Sequence, residues 1–250
     1  MNDQTIFITG STDGIGKLTA LQLAKQNAHV VIHGRNKEKL DSVINELKTK
    51  SGNDQIEGVT ADFSALKEVR QMAEEILDQY PSLDVLINNA GVGMADPRNS
   101  QDGYELRFAV NYLAPFLLTQ LLVPALKKAA PSRIVNVSSA GQQVINFEDI
   151  MLEKNFDSTR AYCQSKLALI MFTFDLAEQL KDEKITVNSL HPGTYLDTNM
   201  VRNSGIKPWG EPESGADAEM YLAVSPSLDG VTGKYFNVKA EAKAEPQAYD

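Results

Sequence analysis

The chain has 250 residues, 42% hydrophobic and 23% charged, with a formal net charge of −9. That length and mixture suit a folded α/β protein with a sizeable core and exclude a disordered chain. The acidic balance repels phosphate backbones, so nucleic acid is not an expected partner, and the single cysteine, Cys163, rules out an internal disulfide and fits a reducing, cytoplasmic setting.

The N-terminal run MNDQTIFITG has neither the basic region nor the long apolar stretch of a signal peptide, and no segment reads as a membrane span. Short β-rich runs then alternate with helical ones. The strands expected are Thr5 to Thr9, His29 to His33, Ile56 to Ala61, Leu83 to Asn88, Arg133 to Ser138, Ile185 to Leu190 and Lys234 to Val238. They are apolar and β-branched without strict alternation, as strands buried on both faces of a parallel sheet are. Between them, Leu40, Val43, Ile44 and Leu47, and later Leu66, Val69, Met72, Ala73, Ile76 and Leu77, recur at the spacing of one helix face. The alternation predicts a doubly wound, Rossmann-like α/β sheet of about seven parallel strands with helices on both faces, residues 1–250 forming one domain. The last stretch, residues 239–250, is polar and is expected to be a mobile tail.

The first strand runs into Thr9-Gly10-Ser11-Thr12-Asp13-Gly14-Ile15-Gly16 and then a helix. Glycines there permit a tight turn and close approach of a pyrophosphate, and the helix N-terminus offers free amides and a positive dipole end. The spacing differs from G-x-G-x-x-G. Further motifs follow: Asn88-Asn89-Ala90-Gly91 after the fourth strand, Asn111 in the next helix, Ser138-Ser139 after the fifth strand, Tyr162 and Lys166 as Y-x-x-x-K, and Pro192-Gly193 after the sixth strand. In this order they resemble the short-chain dehydrogenase/reductase family over nearly the whole chain.

The resemblance implies hydride transfer between a nicotinamide dinucleotide and a carbonyl or alcohol, with Asn111, Ser139, Tyr162 and Lys166 catalytic. Tyr162 and Lys166 share a helix face. A free phenol has a pKa of ~10, and a nearby ammonium and an oxidised nicotinamide are both expected to lower it so that Tyr162 passes a proton to or from the substrate oxygen. Ser139 donates a hydrogen bond to the same oxygen. The resemblance gives Lys166 the nicotinamide ribose and Asn111 a water relay to Lys166. It gives the cofactor Gly10, Ser11, Thr12, Gly14, Ile15, Gly16, Asn89, Ala90, Gly91, Pro192 and Gly193, with Asp62 and Phe63 at the adenine position. The nicotinamide amide is left to Thr194 or Thr198, since Asp197 stands where the family usually has Thr. Cys163, next to Tyr162 but about 100° round the helix, reads as a small buried hydrophobe. His29, His33 and His191 lack metal-ligand spacing, so no metal is expected.

The second strand ends in Gly34, Arg35 and Asn36 rather than an acid. Arg35 favours the 2′-phosphate of NADP(H), while NAD(H) stays open because Asp13 stands where some NADP-binding relatives carry a base. The long insert after Ser139, AYCQSKLA and HPGT resemble the retinol dehydrogenase and WW-domain oxidoreductase branch. Members of that branch often carry a membrane anchor, which is not seen here, so the expected substrate is a small or medium apolar carbonyl. The competing classes are a non-catalytic NADPH-binding or sensing protein, against which Tyr162 and Lys166 weigh, and a sugar-nucleotide epimerase, against which the turn and the short C-terminal region weigh. Apolar residues on more than one face of two helices, Tyr104 to Lys128 and Ser158 to Leu180, predict a homodimer or homotetramer. Gln142 to Thr159 and Asn199 to Glu213 leave the strand ends above the site. The second is too rich in Gly and Pro for a regular helix and is read as a lid, with Trp209 and Tyr195 over the substrate.

Overall fold

A computed structural model of the chain describes residues 4–94 and 98–250. Residues 1–3, where the N-terminal run read above begins, lie outside the described residues. Strands β1 (Thr5–Ile8), β2 (His29–Gly34), β3 (Ile56–Thr60), β4 (Val85–Asn88), β5 (Ser132–Val137), β6 (Ile185–His191), β7 (Lys234–Asn237) and β8 (Ala240–Ala242) form one sheet in the order β3-β2-β1-β4-β5-β6-β7-β8. The first seven pair in parallel and β8 returns antiparallel to β7.

β1 shows why the strands read as unbroken apolar runs. Phe7 faces one helical layer, where it packs with Leu86 and Ile134. Ile6 and Ile8 face the other, with Val30, Ile32 and Ile87. The first layer holds α3 (Leu66–Gln79), α5 (Ala114–Ala129) and α6 (Ser158–Gln179), and the second holds α1 (Gly14–Lys25), α2 (Lys37–Ser51) and α8 (Pro212–Val224). A buried polar ladder pins the first layer to the sheet. Asn88 Nδ2 donates to Thr119 Oγ1 at 2.9 Å and to Asn136 Oδ1 at 2.8 Å, and Asn136 Nδ2 donates to Thr173 Oγ1 at 2.9 Å. These directed bonds define strand register where apolar packing alone would leave it looser, although Asn88 Oδ1 has no partner among the described residues.

Three expectations change. The tail is not loose: β8 extends the sheet, and a 3₁₀ turn at Pro246–Tyr249 buries Ala248 and stacks Tyr249 on Phe174 with ring centres 5.2 Å apart. Its polarity hid it because the order comes from long-range contacts and not from an apolar period. The helix expected from Tyr104 begins at Leu106 as the short α4 (Leu106–Phe108) and widens into a π turn at Ala109–Leu113 before α5. The run Leu106–Ala129 is, against the sequence reading, long and apolar enough to cross a membrane, but Leu118, Leu122 and Leu126 are fully buried beneath the sheet, the packing of a core helix.

Candidate active site

The strand order reverses between β1 and β4, which opens a crevice at their C-terminal ends. Two motifs lock together there. Thr9 Oγ1 accepts the amides of Asn89 and Ala90, both at 3.0 Å, and Asn89 Nδ2 donates to the carbonyls of Thr9 and Gly10 at 2.8 and 3.0 Å. Gly10 has φ +64°, and a Cβ there would stand 2.6 Å from Ala90 Cα. One on Gly16 would stand 2.3 Å from Asn89 Nδ2. The turn is therefore bare backbone by necessity, and the amides of Ile15 and Gly16 precede the first acceptor inside α1. This cradle fits a pyrophosphate.

His33 supports it, a role the sequence reading missed. Its Nδ1 accepts the Gly10 amide at 3.0 Å while Nε2 faces the Ala61 carbonyl at 3.0 Å, which fixes the neutral, Nε2-protonated tautomer. Burial holds its pKa down to about 4. The signal available was a histidine inside an otherwise apolar strand.

Some residues expected at the cofactor turn inward. Ser11 is fully buried, its hydroxyl donating to Ile8 O at 2.7 Å and accepting the His33 amide at 3.0 Å, while its own amide donates to the His33 carbonyl at 2.9 Å. Phe63 is buried and stacked on His33 at 4.5 Å, and Asp62 already accepts bonds from the Ser64 amide and Gln101. Thr12 covers Gly34, whose Cβ would come within 2.4 Å of it. Arg35 and Asn36 lie at the outer edge. Arg35 is exposed and makes no ion pair among the described residues, and Asn36 caps α2 by accepting the Lys39 amide at 2.7 Å. Asp13, the objection to a 2′-phosphate, is engaged by Lys39 at 3.0 Å and Asn199 at 2.6 Å. Burial opposes its ionisation, but those partners and the Gly14 amide outweigh it and hold its carboxyl below the usual range.

Across the crevice, β5 and α6 bring Ser139, Tyr162 and Lys166 together. Ser138 Oγ donates to the Lys166 carbonyl at 2.7 Å, tying strand end to helix. Ser139 and Tyr162 line the same pocket, and Ser139 Oγ accepts the Gly141 amide at 3.0 Å. Lys166 is buried, its Nζ 2.9 Å from the Val137 carbonyl and 5.8 Å from the centre of the Tyr162 ring. Burial pushes Lys166 down to about 8, with the buried acid Glu219 partly opposing. Among the protein's own groups, burial raises the Tyr162 phenol and the neighbouring Ser139 hydroxyl offsets only part of that. The protein's own groups keep Tyr162 protonated, ready to donate.

Asn111 sits in the π turn. Its side chain brackets Val92, accepting its amide at 2.8 Å and donating to its carbonyl at 3.2 Å, and donates to Ser165 Oγ at 3.0 Å. The side chain thus makes no bond to Lys166, and the expected relay is left to the backbone, which a π turn frees from regular pairing. A Cβ on Gly91 would lie 3.3 Å from Asn111 Oδ1 and 3.5 Å from Lys166 Nζ, so Gly91 floors the space where a ribose fits.

The pocket between these elements is about 280 Å³ and mostly apolar, walled by Ile15, Met94, Tyr195, Leu196, Met200 and Ile206. Cys163, read as core, also lines it. Pro192, Gly193, Thr194 and Thr198 border it. Thr194 pairs with His191 Nε2 at 3.1 Å, and Thr198 caps the short helix α7 (Asn199–Asn203). The segment expected to be too broken for helix therefore contains α7 and leads into α8 at Pro212, since Thr198 and Pro212 start helices that its glycines only separate. Tyr195 lines the pocket, but Trp209 stacks on it from outside, with ring centres 5.0 Å apart.

A dinucleotide cradle facing a Ser, Tyr and Lys cluster defines the class of nicotinamide-dependent oxidoreductases. A family profile described as short chain dehydrogenase matches residues 4–208. The chain is 37% identical to retinol dehydrogenase 13 of Mus musculus over 99% of its length and 79% of the relative's. It is 39% identical to retinol dehydrogenase 11 of Homo sapiens, covering 97% and 81%, and 36% identical to human polyprenol dehydrogenase, covering 99% and 81%. Among solved structures, the Pseudomonas aeruginosa RhlG/NADP active-site complex aligns with a TM-score of 0.78 at 26% identity over 95% of each chain. A Shigella flexneri short chain dehydrogenase complexed with NADP aligns at 0.74 and 27% over 96% and 98%. The chain belongs to the short-chain dehydrogenase family and, within it, to the retinol dehydrogenase branch: it is an NAD(P)-dependent oxidoreductase acting on alcohols and carbonyls.

Proposed function

We propose that this protein interconverts an apolar carbonyl and its alcohol with NADP(H), using Ser139, Tyr162 and Lys166. The observation that carries the reading is that Ser139 and Tyr162 line one mostly apolar pocket, with the Nζ of buried Lys166 5.8 Å from the centre of the Tyr162 ring. The nicotinamide supplies or accepts the hydride. Ser139 and Tyr162 point their hydroxyls at one substrate oxygen, and Tyr162 carries the proton to or from it. Lys166, anchored on Val137, holds the ribose edge. The apolar walls exclude water, which strengthens those hydrogen bonds. Exposed Arg35 supports the choice of NADP(H), and the engagement of Asp13 by Lys39 removes an unpaired negative charge from beside it. NAD(H) is the alternative. The retinol and polyprenol dehydrogenase names of the relatives support an alcohol on an apolar skeleton.

The reading includes one cytoplasmic domain that pairs with a second copy through α5 and α6, supported by the partly exposed Phe116 beside Tyr112 and Phe172. Light scattering at micromolar protein should give at least a dimer mass, and a monomer mass refutes the pairing. The decisive test is Tyr162→Phe. It should keep NADPH binding and lose nearly all turnover of aldehydes and ketones, followed as NADPH oxidation. Equal kcat in variant and wild type would overturn the mechanism.

A further inference from the structure

The main-chain carbonyl of Ser139 is fixed by groups far away in sequence. Tyr235 Oη, on β7, donates to it at 3.0 Å, and Gln142 Nε2 donates to it at 3.0 Å. Gln142 is held in turn by the C-terminal segment: its Oε1 accepts the Glu245 amide at 2.7 Å. Two residues on, Gln247 grips Ile145 by both backbone groups, accepting its amide at 2.7 Å and donating to its carbonyl at 3.3 Å. The segment is itself anchored, because Tyr249 stacks on Phe174 of α6 and its hydroxyl accepts the Ala244 amide at 2.9 Å. Phe108, Ile145, Leu167, Ile170, Tyr235 and Ala248 pack as one apolar cluster beneath this network. Side-chain grips on both ends of the loop at 139–147 go well beyond what is needed to close an edge strand.

We propose that Tyr235 and the segment from Ala240 to Asp250 form a brace that positions Ser139 for catalysis, with Tyr235 as a positioning residue. The inference rests on the role given to Ser139 above. Ser139 lies two residues beyond the end of β5, so rotation of its peptide would swing Oγ away from Tyr162. Two donors on its carbonyl prevent that rotation. Tyr235 suits the task because its ring is buried and its phenol, pushed up to about 12 by burial, stays protonated as a donor at any pH the enzyme meets. Tyr235 donates from β7, while Glu245 beyond β8 holds Gln142, so both arms of the brace are held only when the chain end has docked. Docking of the terminus thereby completes the site.

Tyr235→Phe keeps the ring and removes one donor, and Tyr235→Phe with Gln142→Leu removes both. The single variant should lower kcat by about tenfold and the double by more, with KM for NADPH unchanged, since one hydrogen bond expressed fully in the transition state corresponds to roughly a factor of ten. Hydrogen exchange should quicken at residues 139–147, including the Gly141 and Ile145 amides, with the other strands as protected as before. An unchanged kcat in an active wild type overturns the brace, and so does a kcat loss matched by a rise in KM for NADPH and by general loss of protection. If the wild type reduces no carbonyl, the proposed activity fails separately and the exchange result alone decides the brace: faster exchange at 139–147 upholds it, and unchanged exchange overturns it.

Discussion

The two sides of the crevice are built by opposite means. On the cofactor side, backbone meets backbone: Thr9 and Asn89 clamp two turns together, and Gly10 and Gly16 bring them closer than any side chain allows. On the substrate side, side chains borrowed from distant elements set the shape, as Tyr235 and Gln247 do for the loop after β5 and as Asp13, accepting from Asn199, does for the segment after β6. The first side is marked by short glycine- and asparagine-bearing motifs that meet at van der Waals limits, and it tolerates almost no substitution. The second is determined by tertiary contacts, and its effects should be graded.

The largest effect tests the first half of that contrast. Gly10→Ala forces a Cβ at φ +64° to within 2.6 Å of the Ala90 backbone. Strain and overpacking together should cost about 2–5 kcal/mol. Thermal denaturation should show a fall in Tm of roughly 5–15 °C, and NADPH binding should be undetectable by calorimetry. Binding within a few-fold of wild type would show that the turn gives way and that the clamp is not rigid. Next comes Arg35→Ala, which leaves the clamp intact. It should weaken NADPH by about 1.5–3 kcal/mol, the worth of a hydrogen bond to a charged group, and NADH hardly at all. Equal weakening of both would remove Arg35 as the reader of the 2′-phosphate.

The same contrast explains what could be read in advance. The doubly wound sheet, the glycine turn and the Ser139, Tyr162 and Lys166 set lie in local patterns, because burial on both faces and bare backbone leave marks in neighbouring residues. β8 and the ordered tail left none, since residues 240–250 are polar and are held by Ile145, Gln142 and Phe174. Ser11 and Phe63 carried the right motif but turn inward, a matter of rotamer and neighbour that spacing does not encode. The burial that raises the Tyr162 phenol was not legible either, because a nearby lysine is visible in sequence and the depth of burial is not.

Glu219 lies between the two sides and gives a smaller, pH-dependent effect. It is fully buried on α8, with Oε2 2.7 Å from Thr19 Oγ1 on α1, while that hydroxyl also lies 3.1 Å from the Ile15 carbonyl. One hydroxyl proton cannot serve both oxygens, and a neutral Glu219 donating to Thr19 resolves the count. Glu219 Oε1 has no partner among the described residues, which a neutral carboxyl tolerates better than a carboxylate. Burial pushes its pKa up to about 8, against the pull of the Thr19 bond and the Lys166 charge. A folded-state pKa raised from 4.5 makes this contribution to stability complete below about pH 4.5 and progressively lost as pH rises toward about 8. Glu219→Gln removes that loss. Unfolding free energies of variant and wild type from urea titration should therefore diverge in the variant's favour from pH 5 to 8, by about a few kcal/mol at most. A difference that does not change with pH would mean that Glu219 is ionised throughout.

The smallest effect belongs to Trp209, where side-chain stacking alone is at stake. Trp209 is 75% exposed, yet its ring meets Tyr195 edge to face at 5.0 Å and 85°. Its amide donates to the Tyr195 carbonyl at 2.9 Å, and the Asp197 amide donates to the Gly210 carbonyl at 2.9 Å, so the two strands of the loop are buttoned together. Tyr195 holds φ +48° in that arrangement, a left-handed conformation that a non-glycine residue keeps only when its surroundings enforce it. Trp209 therefore acts on the pocket through Tyr195, and the stack is worth about 0.5–1.5 kcal/mol. Trp209→Ala should raise KM for bulky apolar carbonyls by roughly twofold to tenfold, leave small aldehydes and kcat nearly unchanged, and leave NADPH binding intact. As the chain's one tryptophan, it also reports on itself. NADPH with a bulky product analogue should shift its emission beyond the effect of NADPH alone if the loop closes over the ligand. An unchanged spectrum with unchanged KM across substrate sizes would make this loop an ordinary surface hairpin and restrict the graded, side-chain-built half of the pocket to the β5 side.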